Sequence, residues 1–369
     1  MNRQSLPNRP GPKSDQASLP RGVSEPASAV LTALINAWPP ADWRPVHVAI
    51  AVSGGPDSMA LLRAVLELQS QYQGAGRLSV LHVNHRLRAA ESDDDAAWLA
   101  SQCAALGVPL TVLHGNAADR CQTMGDGVEA AARQERYQLL AEAAERLGVR
   151  YLATGHTRDD QVETVLFRLL RGSGLRGLRG IPRTRRLTPA VTLVRPLLDC
   201  SREALTSYLG ALDQSYRTDR TNTDIRITRN RIRHELLPQL REAYNADIDA
   251  ALLRLSAQSN DAQQLLETQA GKLLKQCAAE SVRTPADASH AEQQQLSLAI
   301  EPFSQQPAIL VCEALRLAWR EAGLPEQAMT YHWWRRLTEL AQDLHSGQIL
   351  NLPGNVLATV SDDRLLLRW

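Results

Sequence analysis

Ser53, Gly54, Gly55, Pro56, Asp57 and Ser58 are the residues of this 369-residue chain whose types and spacing suggest chemistry first. Two adjacent glycines let a backbone turn tightly and approach a ligand closely. The helix start that follows leaves backbone N–H groups unpaired and carries partial positive charge, which suits a phosphate. The stretch is not a Walker loop, which needs a Lys after its last Gly, and it is not G-x-G-x-x-G. A second stretch, TGHTRDDQVET, covers Thr154 to Thr164. Asp160 and Glu163 are three apart and share one helix face. Such a pair can grip an ammonium group or take a proton from an amine. His156, at a strand end, can reach a phosphate or a leaving oxygen. Acidic residues are also ordinary decoration of a helix N-terminus. In GVEAAARQERY, 127–137, Glu129, Arg133, Arg136 and Tyr137 recur at helical spacing. Alone this pattern fits an exposed salt-bridged face as well as an arginine aimed at developing negative charge.

The elements that position these residues alternate. Apolar runs predict strands over 46–52, 78–83, 109–114, 150–155 and 191–194, and helical spacing predicts helices over 57–72, 92–106, 126–147 and 158–171. Strands separated by helices of this length form βαβ units and a parallel sheet with helices on both faces. Ligands sit beyond the C-terminal ends of such strands. Residues 53–58, Asn84-His85-Arg86 and Gly155-His156 all fall there. Residues 172–190, rich in Gly and Arg, read as a mobile basic loop. Ser201-Arg202-Glu203 caps the next helix. Residues 243–277 read as a linker helix or helical pair and 280–295 as a loop. Two further helices, 306–322 and 328–344, and three short strands near 348–352, 355–360 and 364–368 form a small C-terminal domain.

Composition narrows the class. Hydrophobic content of 44% and charged content of 22% are those of a globular protein, and no apolar run approaches the length of a membrane span. A net charge of +1 gives no nucleic-acid signature for the molecule as a whole; the clustered arginines carry more information. Five widely spaced cysteines without a C-x-x-C pair argue against a zinc ribbon, an iron–sulfur centre or a disulfide framework, and a reducing cytoplasm is the simplest home. Residues 1–28, poor in large apolar residues, are expected to be disordered and carry no secretory signal.

SGGPDS resembles the loop with which N-type ATP pyrophosphatases grip the pyrophosphate of ATP before splitting it between the α and β phosphates. With HVNHRLR at 82–88, GVEAAARQERY at 127–137, TGHTRDDQVET at 154–164, RGSGLRGLRG at 171–180, RPLL at 195–198 and NRIRHELLPQL at 230–240, the chain resembles the tRNA-isoleucine lysidine synthetases over about 46–245. The resemblance implies an α/β fold. A parallel-sheet, adenine nucleotide alpha hydrolase-like PP-loop domain (29–242) would be followed by a helical linker (243–299) and a small α+β domain (300–369). It implies that ATP adenylates the C2 carbonyl oxygen of the wobble cytidine of a CAU-anticodon tRNA-isoleucine, and that the side-chain amine of free lysine displaces AMP. Ser53, Gly54, Gly55, Pro56, Asp57 and Ser58 would hold ATP, with Asp57 acting through Mg²⁺. Arg133 and His156 would act at the α-phosphate and the adenylated intermediate, and Asp160 and Glu163 would bind lysine. Arg229, Arg231 and Arg233 would face the tRNA or the reaction centre, with the choice among them open; Arg231 is set with the catalytic residues, and Arg229 and Arg233, like Arg176 and Arg179, with the tRNA contacts. A homodimer is compatible with the resemblance, and no membrane is involved.

The family often has Gly where this chain has Arg86, and many members carry a further C-terminal domain that helps read the acceptor stem. This chain is expected to be a shorter form. The nearest rival is a tRNA thiolation enzyme on the same fold, disfavoured by the lack of C-x-x-C. The rival from another class is a non-catalytic tRNA- or nucleotide-binding module.

Overall fold

The computed structural model describes residues 25–84, 90–115, 128–218, 225, 227–277, 294–343 and 348–369. The expectations for residues 1–24, His85, Arg86, Gly127 and most of the loop 280–295 fall outside these. Two compact units are formed. The first holds the chain up to Leu170 together with Gly180–Leu253, and the second holds Arg171–Arg179 and Arg254–Trp369.

Six strands build the sheet of the first unit: β1 (Val48–Ala51), β2 (Leu78–Asn84), β3 (Leu110–His114), β4 (Tyr151–Thr154), β5 (Thr184–Arg186) and β6 (Thr192–Val194). Their order is β3-β2-β1-β4-β6-β5. All neighbours are parallel except the β5–β6 pair at the edge. The five strands predicted from apolar runs are present. The basic stretch 172–190 is a correction, being not wholly loop. A helical turn forms at Leu175–Leu178, and β5 pairs antiparallel with β6.

Every residue of β1 is buried, and its side chains divide between two cores. Val48, Ile50 and Val52 join one core with helices Glu25–Ala37, Pro56–Tyr72 and Arg202–Ala211. Ala49 and Ala51 point the other way, into a core with Leu140, Ala143 and Ala144 of helix Val128–Arg146. The period-two alternation of a strand covered on both faces explains why the sequence shows a continuous apolar run there. The chain runs β1 to β3 towards one edge, then returns to β4 and β6 on the other side of β1. The point where the order reverses lies between β1 and β4, which is where such sheets open a crevice for ligands.

The second unit has an antiparallel sheet, β7 (Gln295–Ala299), β8 (Ile349–Leu352), β9 (Val356–Ser361) and β10 (Arg364–Arg368), in the order β7-β10-β9-β8. Helices Ala308–Glu321 and Tyr331–Gln342 pack Trp319 edge-on to Trp334 at 5.6 Å in a core completed by Phe303 and by Leu273, Leu274 and Cys277. Three strands of this sheet were expected. β7 was not, because its five residues follow a long polar stretch with no turn signal of their own. Among the described residues, no helix is long and apolar enough to cross a membrane.

Candidate active site

Ala51 of β1 is paired with Thr154 of β4, so residues 53–58 and 155–160 leave neighbouring strands side by side. Gly54 takes φ +89°, a conformation that side chains resist. The turn is then tied by hydroxyls. Ser58 Oγ donates to Gly55 O at 3.0 Å, accepts from Ser53 N at 3.2 Å, and lies 3.2 Å from Ser53 Oγ. Pro56 occupies the first turn of helix Pro56–Tyr72, where its missing N–H costs nothing, and Asp57 follows it. Gly155 closes the crevice from the other strand. A Cβ there would stand 2.7 Å from the carbonyl oxygen of Asp57. Gly155→Ala is therefore expected to push the 53–58 turn off its position and weaken binding of a non-hydrolysable ATP analogue about tenfold or more. Titration calorimetry checks this, and unchanged affinity would contradict it.

Beyond this turn lies a dense set of charges. Helix Arg158–Leu170 opens with Asp159 and Asp160, and Glu163 is only 1% exposed. Asp160 Oδ2 accepts from the backbone N–H of Thr157 at 2.8 Å and from its hydroxyl at 3.2 Å. Asp160 Oδ1 accepts from Arg202 and, at 3.1 Å, from Arg229. Glu163 Oε1 accepts from Arg202 at 2.8 Å and Arg233 at 2.7 Å, and Oε2 from Arg229 and Arg233, each at 3.0 Å. Burial alone would raise the Glu163 pKa, but the hydrogen bond from Arg233 and the three guanidinium charges outweigh it and hold the carboxyl below its ordinary range. Glu163 is thus suited to hold a cation and poorly suited to take a proton.

Arg202 was seen in the sequence only as part of a helix cap. It sits at the first position of helix Arg202–Ala211, with Ser201 accepting from Ala204 N at 3.2 Å. Its backbone N–H donates to Asp159 at 2.9 Å, and its side chain reaches Asp57 Oδ2 at 3.2 Å as well as Asp160 and Glu163. Burial works against its charge, yet the carboxylates push its pKa up. Its position one helix start after the end of β6 was the only sequence signal available.

Asp57 differs from the other two carboxylates. Its Oδ1 is buried and has no hydrogen-bond partner among the described residues. Burial raises its pKa to about 6 despite Arg202. An orphaned, buried carboxylate oxygen beside the 53–58 turn fits a hard divalent cation.

Several arginine charges act on His156. Arg195 follows β6, is 3% exposed, donates to Pro182 O at 2.6 Å and has a buried, unpartnered Nε. Arg133 lies over the Tyr137 ring at 5.3 Å and Arg185 over it at 4.7 Å. Burial, then Arg195, Arg133, Arg136 and Arg229, lower the His156 pKa to about 2. His156 Nδ1 lies 3.0 Å from the Thr154 hydroxyl. His156 is consequently a neutral imidazole at working pH. Its ring ¹⁵N shifts are expected to stay those of the neutral form from pH 5 to 8 in NMR spectra. A titration near the ordinary value, about 6.5, would contradict this. Because the folded value lies below the unfolded one, His156 also takes stability away as pH falls below about 6.5.

Of the arginines expected to take part, Arg229 and Arg233 are paired with the carboxylates. Arg231, assigned to the chemistry, is exposed and has no side-chain partner among the described residues. The reason is helical spacing. Arg229 and Arg233 are four apart and share a face, while Arg231 points away. Residues Ile232–Leu236 form a π-helical turn, with Leu237 N–H bonded to Ile232 O. Pro238, which has no N–H and would crowd the carbonyl of His234, accounts for the turn. Arg176 and Arg179 lie in the second unit, paired with Glu326 at 3.0 Å and Glu267 at 3.1 Å.

Residues 29–240 match the family described as PP-loop domain, an ATP-binding family. The chain is 42% identical over 198 residues to the tRNA(Ile)-lysidine synthase of Symbiobacterium thermophilum, covering 54% of this chain and 40% of that protein. It is 44% identical over 200 residues to that of Solibacter usitatus, covering 54% and 42%. With the enzyme of Chlorobaculum tepidum it shares 36% identity over 228 residues, 62% of this chain and 67% of that protein. The matched part of the chain thus spans less than half the length of the first two relatives. Among solved structures, a U34-tRNA thiolase from Methanococcus maripaludis with its [4Fe-4S] cluster superposes with a TM-score of 0.52 at 15% identity, over 63% of this chain and 78% of that one. That likeness concerns the fold alone. The looped serines and glycines, the paired carboxylates and these relatives together establish that the chain belongs to the PP-loop family and, within it, to the tRNA(Ile)-lysidine synthase family.

Proposed function

We propose that this protein adenylates the C2 carbonyl oxygen of the wobble cytidine of a CAU-anticodon tRNA-isoleucine with ATP, and then joins free lysine to C2 through its side-chain amine. The observation that carries this reading is the placement of Asp160 and Glu163, a buried cation-binding pair, beside the 53–58 turn at the β1–β4 crevice. One substrate is a polyanion and the other an ammonium, and the crevice offers separate side chains to each.

The 53–58 turn holds the β and γ phosphates through backbone N–H groups and the Ser53 and Ser58 hydroxyls. Asp57 would hold Mg²⁺ through its unpartnered Oδ1, and the metal would offset the triphosphate charge when bound. Arg133 and Arg195 face the α-phosphate, where negative charge builds as pyrophosphate leaves. His156 Nδ1 and the Thr154 hydroxyl are within hydrogen-bond distance; in the tautomer this role requires, the hydroxyl donates to Nδ1 and the Nε2 proton of neutral His156 is offered to the same phosphate. The cytidine oxygen forms the new bond to phosphorus, and the Pα–O bond to pyrophosphate breaks. A ring carbonyl oxygen is a poor leaving group; as the phosphate ester of AMP it departs readily. The lysine ammonium, positioned by Asp160 and Glu163, releases a proton to solvent, and the neutral amine attacks C2; the C–N bond forms, the C2–O bond breaks, and AMP carries the former carbonyl oxygen away.

Incorporation of radiolabelled lysine into a CAU-anticodon tRNA-isoleucine transcript, with equal amounts of AMP and pyrophosphate, tests the proposal. Label at the wobble cytidine is the expected result. ATP splitting with no lysine incorporated would assign another nucleophile to the same fold, sulfur first. Intact ATP with tRNA bound would favour a binding module.

A further inference from the structure

We propose that Arg202 is the gate of the amino-acid pocket, standing in for the substrate ammonium until nucleotide arrives. The inference rests on the lysine-binding reading of Asp160 and Glu163 and goes beyond it. Every oxygen of those two carboxylates already accepts a hydrogen bond: Asp160 from Thr157, Arg202 and Arg229, and Glu163 from Arg202, Arg229 and Arg233. An ammonium cannot enter without displacing a guanidinium. Among the described residues, Arg229 and Arg233 form ion pairs only with these two carboxylates. Arg202 alone also bonds Asp57 of the 53–58 turn, at 3.2 Å. It therefore senses both half-sites.

The charge balance sets the direction. Asp57, Asp160 and Glu163 are each already paired with a guanidinium of Arg202, Arg229 or Arg233, so an added ammonium meets no carboxylate that lacks a cation. A polyphosphate bound at the adjacent turn brings negative charge, competes for the guanidinium of Arg202 and leaves carboxylate oxygens for the amine. Lysine and nucleotide then bind with positive coupling, and by linkage each tightens the other by the same factor. The amine reaches the crevice only when there is an activated group for it to attack.

Lysine binding to the full chain, measured by calorimetry with and without α,β-methylene ATP and magnesium, tests the gate. Wild-type protein is expected to bind lysine about tenfold or more tightly with the analogue present. Arg202→Gln is expected to bind lysine without nucleotide, with the coupling reduced to about twofold or less. Arg229→Gln, which removes a guanidinium from the same carboxylates but none from Asp57, keeps the coupling. Arg202→Lys, which retains charge but cannot span three carboxylates, guards against a folding defect and is expected to lose most of the coupling. Equal lysine affinity with and without the analogue in wild type, or full coupling in Arg202→Gln or Arg202→Lys, overturns the gate alone. No lysine binding in any variant while the analogue binds overturns the gate together with the lysine-pocket reading.

Discussion

Asp57→Asn is expected to yield a protein that melts higher at pH 8 and no longer splits ATP. The two effects share one cause. Burial lifts the Asp57 carboxyl pKa from 3.8 to about 6, so the fold favours the neutral form. A raised folded pKa means that ionisation costs stability as pH climbs from about 4 through about 6, and the full cost is present above that. The shift corresponds to ~3 kcal/mol. Remaining solvent contact and the lost charge of the Arg202 bond reduce the net gain to ~1 kcal/mol. An isosteric amide removes the ionisation. It also removes the anionic oxygen offered to a cation at the phosphate turn, and a fall in pyrophosphate release on the order of 10³-fold is expected. Thermal melts of both proteins at pH 4 and pH 8, with a pyrophosphate assay, check this. A stability difference that persists at pH 4, or near-normal turnover, would contradict the assignment.

Glu163→Gln is expected to act in the opposite sense on stability and to be just as damaging to turnover. Glu163 is the least exposed of the carboxylates and the one on which Arg202, Arg229 and Arg233 all converge. Replacing it leaves three guanidiniums with Asp160 and, for Arg202, Asp57. Breaking a buried charge network from one side costs about 3 kcal/mol, which lowers the melting temperature of a unit of this size by about 8 °C. The substitution also removes the negative charge that an ammonium needs. Lysine incorporation is expected to fall on the order of 10³-fold, while affinity for an ATP analogue changes little because the 53–58 turn is untouched. Melting curves, lysine kinetics and nucleotide titration separate these effects. Normal lysine kinetics in Glu163→Gln would remove Glu163 from the amino-acid site.

The parts of this site that could be read from the sequence are those that depend on local order. Val48–Ala51 is apolar because helices cover both faces, and SGGPDS and TGHTRDDQVET follow strand ends. Both are visible along the chain. Arg202 was not, since its role comes from reaching across to Asp57, Asp160 and Glu163, residues 39 to 145 positions away. The choice among Arg229, Arg231 and Arg233 was not legible for a related reason. Their helical face is set by the turn Ile232–Leu236 and Pro238, and by where the carboxylates stand. β5 was missed because its residues, Thr184, Arg185 and Arg186, are exposed at the sheet edge and show no apolar alternation.

In the reaction we propose, one crevice first makes the C2 oxygen of the wobble cytidine a leaving group and then replaces it with an amine. A CAU-anticodon tRNA-isoleucine carrying ¹⁸O at that C2 oxygen tests it most directly, by mass spectrometry of the AMP released with lysine and ATP. The account predicts that AMP gains the ¹⁸O and the tRNA loses it. AMP without the label, or label retained in the tRNA after lysine is joined, would contradict it.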